Sequence, residues 1–146
     1  TIGSFLMKHS ELPFIDTQKL FLRVLYYFLI GNGDAHLKNF AMIRLPNLKY
    51  RLSPAYDIVS SKLVMENEIE ETALRINGKK NKITLKDFKA LAEYLQINAK
   101  QYERHMANAK LGGFELAFNI QQSFLPQGMK DRFETIFEER YRRIFP

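Results

Sequence analysis

The residues able to do chemistry gather in two stretches, Gly31-Asn32-Gly33-Asp34-Ala35-His36-Leu37-Lys38-Asn39-Phe40 and Leu52-Ser53-Pro54-Ala55-Tyr56-Asp57. Asn39 follows Asp34 by five positions, and Asp57 follows it by twenty-three. Two carboxylates and a carboxamide on neighbouring loops suit phosphoryl transfer, which needs its nucleophile oriented, a divalent metal held and phosphate charge screened. A carboxylate accepts the hydrogen bond of an acceptor hydroxyl and takes its proton late, and Asp34 is the candidate for that task. Mg²⁺ wants hard oxygen ligands, and the carboxylate of Asp57 and the amide oxygen of Asn39 both qualify. His36 either contacts phosphate or braces the loop through backbone hydrogen bonds. Lys38 either neutralises phosphate or is simply solvated. Taken singly these residues say little, because Asp and Asn are common turn and cap residues. The ordered set says more: a buried helix ending in Gly, a loop rich in hydrogen-bonding groups, a hairpin and a second Asp.

The elements that must position this set follow from periodicity. Asp16 reads as a helix N-cap, with Ile15 and Leu20 as a hydrophobic staple. Leu20, Phe21, Val24, Leu25, Phe28 and Leu29 then recur at helical spacing, so a buried helix runs to Gly31. The glycines at 31 and 33 flank Asn32 and predict a tight turn that delivers Asp34. Residues 40–43 and 50–52 predict two short strands around a turn at Pro46-Asn47. Glu66, Glu68, Glu70 and Glu71 form an acidic loop, and residues 72–76 read as a strand before a turn at Asn77-Gly78. Thr84 caps a helix with Leu85, Phe88, Leu91, Ala92 and Leu95 on one face. Asn98 caps another, expected to stop near Gly112-Gly113, and a separate helix is expected over 114–124. Met129 to Ile144 predict a long amphipathic C-terminal helix. The expected fold class is α+β and mostly α-helical, with short β-hairpins carrying the two loops, in a single domain over residues 1–146.

The bulk numbers bound the class. The chain has 146 residues, 46% of them hydrophobic and twelve of them Phe, enough for a packed core and against disorder. It has no Cys, which removes disulfides and thiolate zinc sites and is compatible with a reducing cytoplasm. No secretory leader is visible and no apolar run reaches the roughly 20 residues that span a bilayer, so a cytoplasmic protein without membrane contact is expected. The formal net charge of +6 suits an anionic ligand such as ATP, a nucleic acid or an acidic partner, and equally an ordinary basic surface.

The string Asn32-Gly33-Asp34-Ala35-His36-Leu37-Lys38-Asn39-Phe40 resembles the catalytic loop of the HipA family, serine/threonine kinase toxins of bacterial toxin–antitoxin systems. Leu52-Ser53-Pro54-Ala55-Tyr56-Asp57-Ile58 resembles that family's metal-binding segment, and the separation of the two fits. The resemblance covers the chain from about residue 16 onward and is sharpest over 32–58. It implies a protein-kinase-like C-lobe, Asp34 as the catalytic Asp, and Asn39 and Asp57 as Mg²⁺ ligands. It also implies ATP contacts along His36, Leu37, Lys38 and Asn39 and around Tyr56 and Asp57. Such kinases phosphorylate protein hydroxyls, aminoacyl-tRNA synthetases among them. They are held by a helix-turn-helix antitoxin, through which DNA is contacted indirectly.

The chain departs from a whole kinase. It holds no Gly-rich phosphate loop and no strand Lys followed by a helix Glu, and it opens without Met. The expectation is a fragment whose nucleotide-binding N-lobe lies elsewhere, with little ATP turnover by the 146 residues alone. Two rivals remain. Gly33 to Asn39 also fits a small-molecule kinase of the aminoglycoside or choline phosphotransferase type, whose acceptor is a soluble alcohol. Arg140, Arg142 and Arg143 fit a non-catalytic basic module that contacts DNA phosphates or an acidic partner. The loop Arg75 to Lys80 reads most simply as an exposed turn, and His9 and His105 carry no assigned role.

Overall fold

The computed structural model of the chain describes residues 1–65 and 69–146. Eight elements follow in order: α1 (Ile2–His9), α2 (Pro13–Leu29), β1 (Met42–Arg44), β2 (Tyr50–Leu52), α3 (Ser61–Val64), α4 (Leu85–Tyr94), α5 (Ala99–Gln121) and α6 (Gln127–Ile144), with one 3-10 turn at Leu37–Asn39. The described residues are therefore mostly helical with one small antiparallel sheet, an α+β arrangement as expected. Glu66 and Glu68 of the expected acidic loop lie outside the described residues.

The α2 helix is the central strut. Leu20, Phe21, Leu25, Phe28 and Leu29 are buried on the face that the sequence assigns to the core, and Val24 is half-buried. Phe88 of α4 meets the rings of Phe21 and Phe28 edge-on at 6.3 and 5.5 Å. Burying such a side chain contributes roughly 1.5–3 kcal/mol. The α6 helix closes the other flank through Phe133, Phe137 and Ile144, all buried.

The start of α2 differs from expectation. Pro13 occupies the first turn and opens the helix earlier than Asp16. Its fixed φ is already helical, and its missing N–H is one the helix would leave unpaired. Asp16 therefore lies inside the helix and fully buried, while Ile15 is exposed, so neither the cap nor the staple forms. The Asp16 carboxylate instead accepts hydrogen bonds from Ser10 Oγ (2.6 Å), the Leu52 N–H (2.8 Å) and the Arg51 guanidinium (2.9 Å through Nη2). Burial alone would raise its pKa. The Arg51 and Ser10 hydrogen bonds and the Leu52 N–H outweigh that and hold it below the ordinary carboxylate value.

The hairpin pairs Met42 with Leu52, Ile43 with Arg51 and Arg44 with Tyr50. Its first strand begins two residues later than residues 40–43 suggest, because the Phe40 N–H still closes the 3-10 turn on Leu37 O at 3.1 Å. No strand forms over 72–76. Ile76 and Lys79 make a single bridge around Asn77-Gly78, both with positive φ (49° and 78°). That is the tight turn the dipeptide predicts, but no neighbouring strand among the described residues extends it.

The glycine pair does not divide the chain, and α5 runs unbroken from Ala99 to Gln121. A Cβ at Gly112 would lie 2.8 Å from the Tyr26 hydroxyl, and one at Gly113 would lie 2.5 Å from a ring carbon of Tyr141. These glycines serve close helix packing rather than helix termination. Both cap readings hold: Thr84 with Asp87 and Asn98 with Gln101 form capping boxes.

Candidate active site

Gly31 ends α2 with φ +78°, a conformation that any Cβ would strain. The chain then turns through buried Asn32 and Gly33 to Asp34. Two loops meet here, residues 31–40 and 53–61, and polar contacts stitch them together. The Asn32 amide donates to the Asp57 carbonyl at 3.4 Å. The Tyr27 hydroxyl donates to the Tyr56 carbonyl at 3.3 Å, and the Tyr56 hydroxyl donates to the Lys38 carbonyl at 2.7 Å. The Gly33 N–H donates to Ser61 Oγ at 2.8 Å. Burial pushes the Tyr27 phenol up, against the pull of the Arg23 charge, so it stays a neutral donor.

Arg23 braces the second loop from below. It is buried, donates from Nη2 to the Ser53 carbonyl at 2.5 Å and lies over the Phe40 ring at 5.7 Å. Burial lowers its pKa, but a guanidinium remains charged in any case.

The central contact is between Asn39 and Asp57. Asn39 is buried, and its Nδ2 donates to the Asp57 carboxylate. Its Oδ1 is also buried and has no hydrogen-bond partner among the described residues. A buried amide oxygen without a donor costs about 1–3 kcal/mol, so it calls for an explanation. Asp57 itself is exposed and holds φ +54°, a left-handed conformation that Asp tolerates better than most side chains. Among the described residues no group of three or more His, Asp or Glu is placed to hold a metal. A carboxylate beside an unpartnered amide oxygen nonetheless fits Mg²⁺, which is commonly held by one or two protein oxygens with water and phosphate completing its shell.

Asp34 is half-exposed, and its Oδ1 lies 3.1 Å from Nε2 of His36. His36 also braces the loop through its backbone, donating its N–H to the Asp34 carbonyl at 2.7 Å and accepting from the Asn39 N–H at 2.9 Å. No hydrogen bond or ion pair joins Asp34 to Asn39 or Asp57 among the described residues; they share the loop framework only. Leu37 and Lys38 are exposed, and the Lys38 ammonium has no ion-pair partner among the described residues. Tyr56 is 40% exposed with its hydroxyl engaged on the loop.

Sequence reasoning missed Tyr27, Arg23 and Ser61 as supports. Tyr27 and Arg23 sit on a helix whose apolar period drew attention to its other face, and Ser61 carries no local signal. The basic cluster at the C-terminus resolves differently from a DNA-facing patch. Arg140 is buried and donates to the Phe28 carbonyl at 2.6 Å, Arg143 pairs with Glu71 at 2.7 Å, and Arg142 pairs with Glu138 one helical turn away at 2.5 Å. No helix among the described residues is long and apolar enough to cross a membrane.

Known proteins place the fold and the sequence in a family. The sequence model of the family described as "HipA-like C-terminal domain" matches residues 2–112. A Haemophilus influenzae protein named "Putative kinase" is 39% identical over 59 residues, covering 40% of this chain and 17% of that protein. The Sinorhizobium fredii "Putative kinase Y4dM" is 42% identical over 53 residues, covering 36% of this chain and 13% of that protein. The chain thus spans less than a fifth of the length of either relative. A chain of the Shewanella oneidensis MR-1 toxin–antitoxin complex of HipA, HipB and operator DNA superposes with a TM-score of 0.76 at 21% identity, over 97% of this chain and 34% of that one. With the family model matching residues 2–112, the chain belongs to the HipA-like C-terminal domain family.

Proposed function

We propose that this chain is the catalytic C-terminal lobe of a HipA-like serine/threonine protein kinase, transferring the γ-phosphoryl group of ATP to a protein hydroxyl. The observation that carries the reading is the Asn39–Asp57 contact with its unpartnered amide oxygen, on loops that also present Asp34. Asp34 accepts the hydrogen bond of the acceptor hydroxyl and takes its proton, and His36 holds that carboxylate in place. Asn39 and Asp57 would hold Mg²⁺, which when bound would neutralise phosphate charge. Lys38 and the exposed rim of the loop face the nucleotide, and Tyr56 fixes the loop's carbonyl edge. Tight mutual bracing of the two loops is what positioning catalysis requires, because little covalent chemistry falls to the protein.

The nucleotide-binding lobe, in this reading, comes from polypeptide outside these 146 residues. In support, the sequence has no Gly-rich loop, and the chain matches only 34% of its structural neighbour. That neighbour comes from a complex with HipB and operator DNA, which supports a helix-turn-helix antitoxin as the partner here. The inward or paired arginines of α6 weigh against a basic binding module as the main role.

The test is transfer of labelled phosphate by the complete reading frame and by its Asp34→Ala variant. Phosphoserine or phosphothreonine on protein, reduced about 10³-fold in the variant, is the expected result. Label appearing on a soluble alcohol instead would move the assignment to a small-molecule kinase. No transfer and no Mg–ATP binding would overturn it.

A further inference from the structure

We propose that Ser61 is a positioning residue for this site: its hydroxyl locks the Gly31–Gly33 turn and so fixes where Asp34 stands. The catalytic consequence rests on the phosphotransfer reading, whereas the geometry stands without it.

Gly31, Gly33 and Ser61 are all buried. The Ser61 hydroxyl accepts from the Gly33 N–H at 2.8 Å and donates to the Gly31 carbonyl at 3.3 Å. One side-chain oxygen thus spans both glycines of the turn, bonding on each side of Asn32. The next peptide unit along the chain belongs to Asp34. A second bond reinforces the same place, because the Lys62 N–H also donates to the Gly31 carbonyl at 3.0 Å. Meanwhile the Asn32 side chain reaches the other way, to the Asp57 carbonyl. The turn is therefore the joint between the two carboxylates, tied to α3 through its main chain and to Asp57 through its one side chain.

The joint has a firm base. Leu63 of α3 is buried in the core, and the Arg132 guanidinium of α6 donates to the Lys62 carbonyl at 3.4 Å. Ile136 of α6 packs so close to Gly31 that a Cβ there would lie 3.0 Å from its methyl carbon. Support passes from α6 to α3, from α3 to the Ser61 hydroxyl, and from the hydroxyl to the turn. A buried N–H that loses its partner must move to find another. Removal of the hydroxyl therefore displaces the turn and Asp34 with it, rather than merely weakening the fold. A displacement of about 1 Å at a reacting group can cost about 10²-fold in rate.

The test compares Ser61→Ala with Leu95→Ala, which opens the buried core beside α4 and leaves α3 and the hydroxyl untouched, and with Ser61→Thr, which keeps the hydroxyl at added bulk. Amide exchange at Gly33 and the Asp34 and Asp57 resonances are read by NMR on the full chain. Phosphotransfer kinetics are read on the complete reading frame. Ser61→Ala should speed Gly33 exchange at least tenfold, shift the Asp34 resonances, and lower kcat about tenfold with KM for ATP little changed. Leu95→Ala should lower Tm while leaving the Asp34 shift and kcat near wild type, and Ser61→Thr should restore Gly33 protection. Unchanged Gly33 exchange in Ser61→Ala would overturn the hydroxyl's role. Faster exchange with unmoved Asp34 resonances and unchanged kcat would overturn the positioning. If the complete protein transfers no phosphate to anything, the functional reading fails by itself, and the Gly33 and Asp34 signals still decide whether Ser61 holds the joint.

Discussion

The two ends of the hairpin segment treat their aspartates in opposite ways. At Arg51-Leu52 the chain meets Asp16, fully buried, with donors from Ser10, Arg51 and the Leu52 N–H around its carboxylate. Five residues beyond Leu52, Asp57 is exposed, in a left-handed conformation, and receives one amide from Asn39. Asp16 has its acceptor capacity filled by the protein. Around Asp57 there is capacity to spare. Of the five buried side-chain atoms without a partner among the described residues, Asn32 Oδ1, Asn39 Oδ1, Ser60 Oγ and Arg23 Nη1 belong to the two loops or to their brace. A satisfied carboxylate holds a fold together, whereas each buried polar group without a partner opposes folding and calls for an explanation.

The contrast can be broken first on stability. Asp16→Ala removes the acceptor that neutralises Arg51 and pairs the Leu52 N–H, and should cost about 3 kcal/mol in urea unfolding. Asp57→Ala should cost less, about 1–2 kcal/mol, since it deletes an exposed group but leaves the buried Asn39 amide without its acceptor and places Ala at φ +54°. Equal losses for the two would end the comparison. Next in size, Gly31→Ala should cost about 1–3 kcal/mol, because its φ of +78° and the approach of Ile136 both oppose a Cβ. Gly78 has φ +78° but open space around it, so Gly78→Ala isolates the backbone part of that cost, about 1 kcal/mol.

A ligand should sharpen the contrast further. Mg²⁺ with ATP at ten times its Kd adds about 1.4 kcal/mol of apparent stability to the complete protein. That gain should vanish in Asp57→Ala and survive in Asp16→Asn, measured as a thermal shift normalised to each variant's own Tm. The smallest effect is on pH. Burial raises the Asp16 pKa, but its hydrogen bonds lower it more, so the folded value lies below the unfolded one of about 3.9. The stability that Asp16 contributes is therefore complete above about pH 4 and fades as pH falls through the folded value. Asp87, with Lys79, Asn77 and Thr84 around it, adds to the same acid limb with the same sign. Asp16→Asn should flatten that limb between about pH 2 and 4; an unchanged slope would show that Asp16 does not set it.

What the sequence determined is what short-range rules govern. The glycine turn after α2, the Thr84 and Asn98 caps and the Asn77-Gly78 turn each depend on residues a few positions apart, and each was legible. The apolar period of α2 was legible for the same reason. Pro13 was an equally local signal that outweighed Asp16 at the helix start, and the N-cap pattern of Asp16 concealed it. The rest was decided by partners distant in sequence. Asp16 is occupied by Arg51, Arg140 by the Phe28 carbonyl 112 residues away, and Gly33 by Ser61. Gly112 and Gly113 look like a helix stop until Tyr26 and Tyr141 fill the space where their side chains would stand. Local pattern picked out the candidate residues, but only tertiary packing could choose which polar groups were satisfied and which were left without a partner, because burial and pairing are properties of neighbours in space.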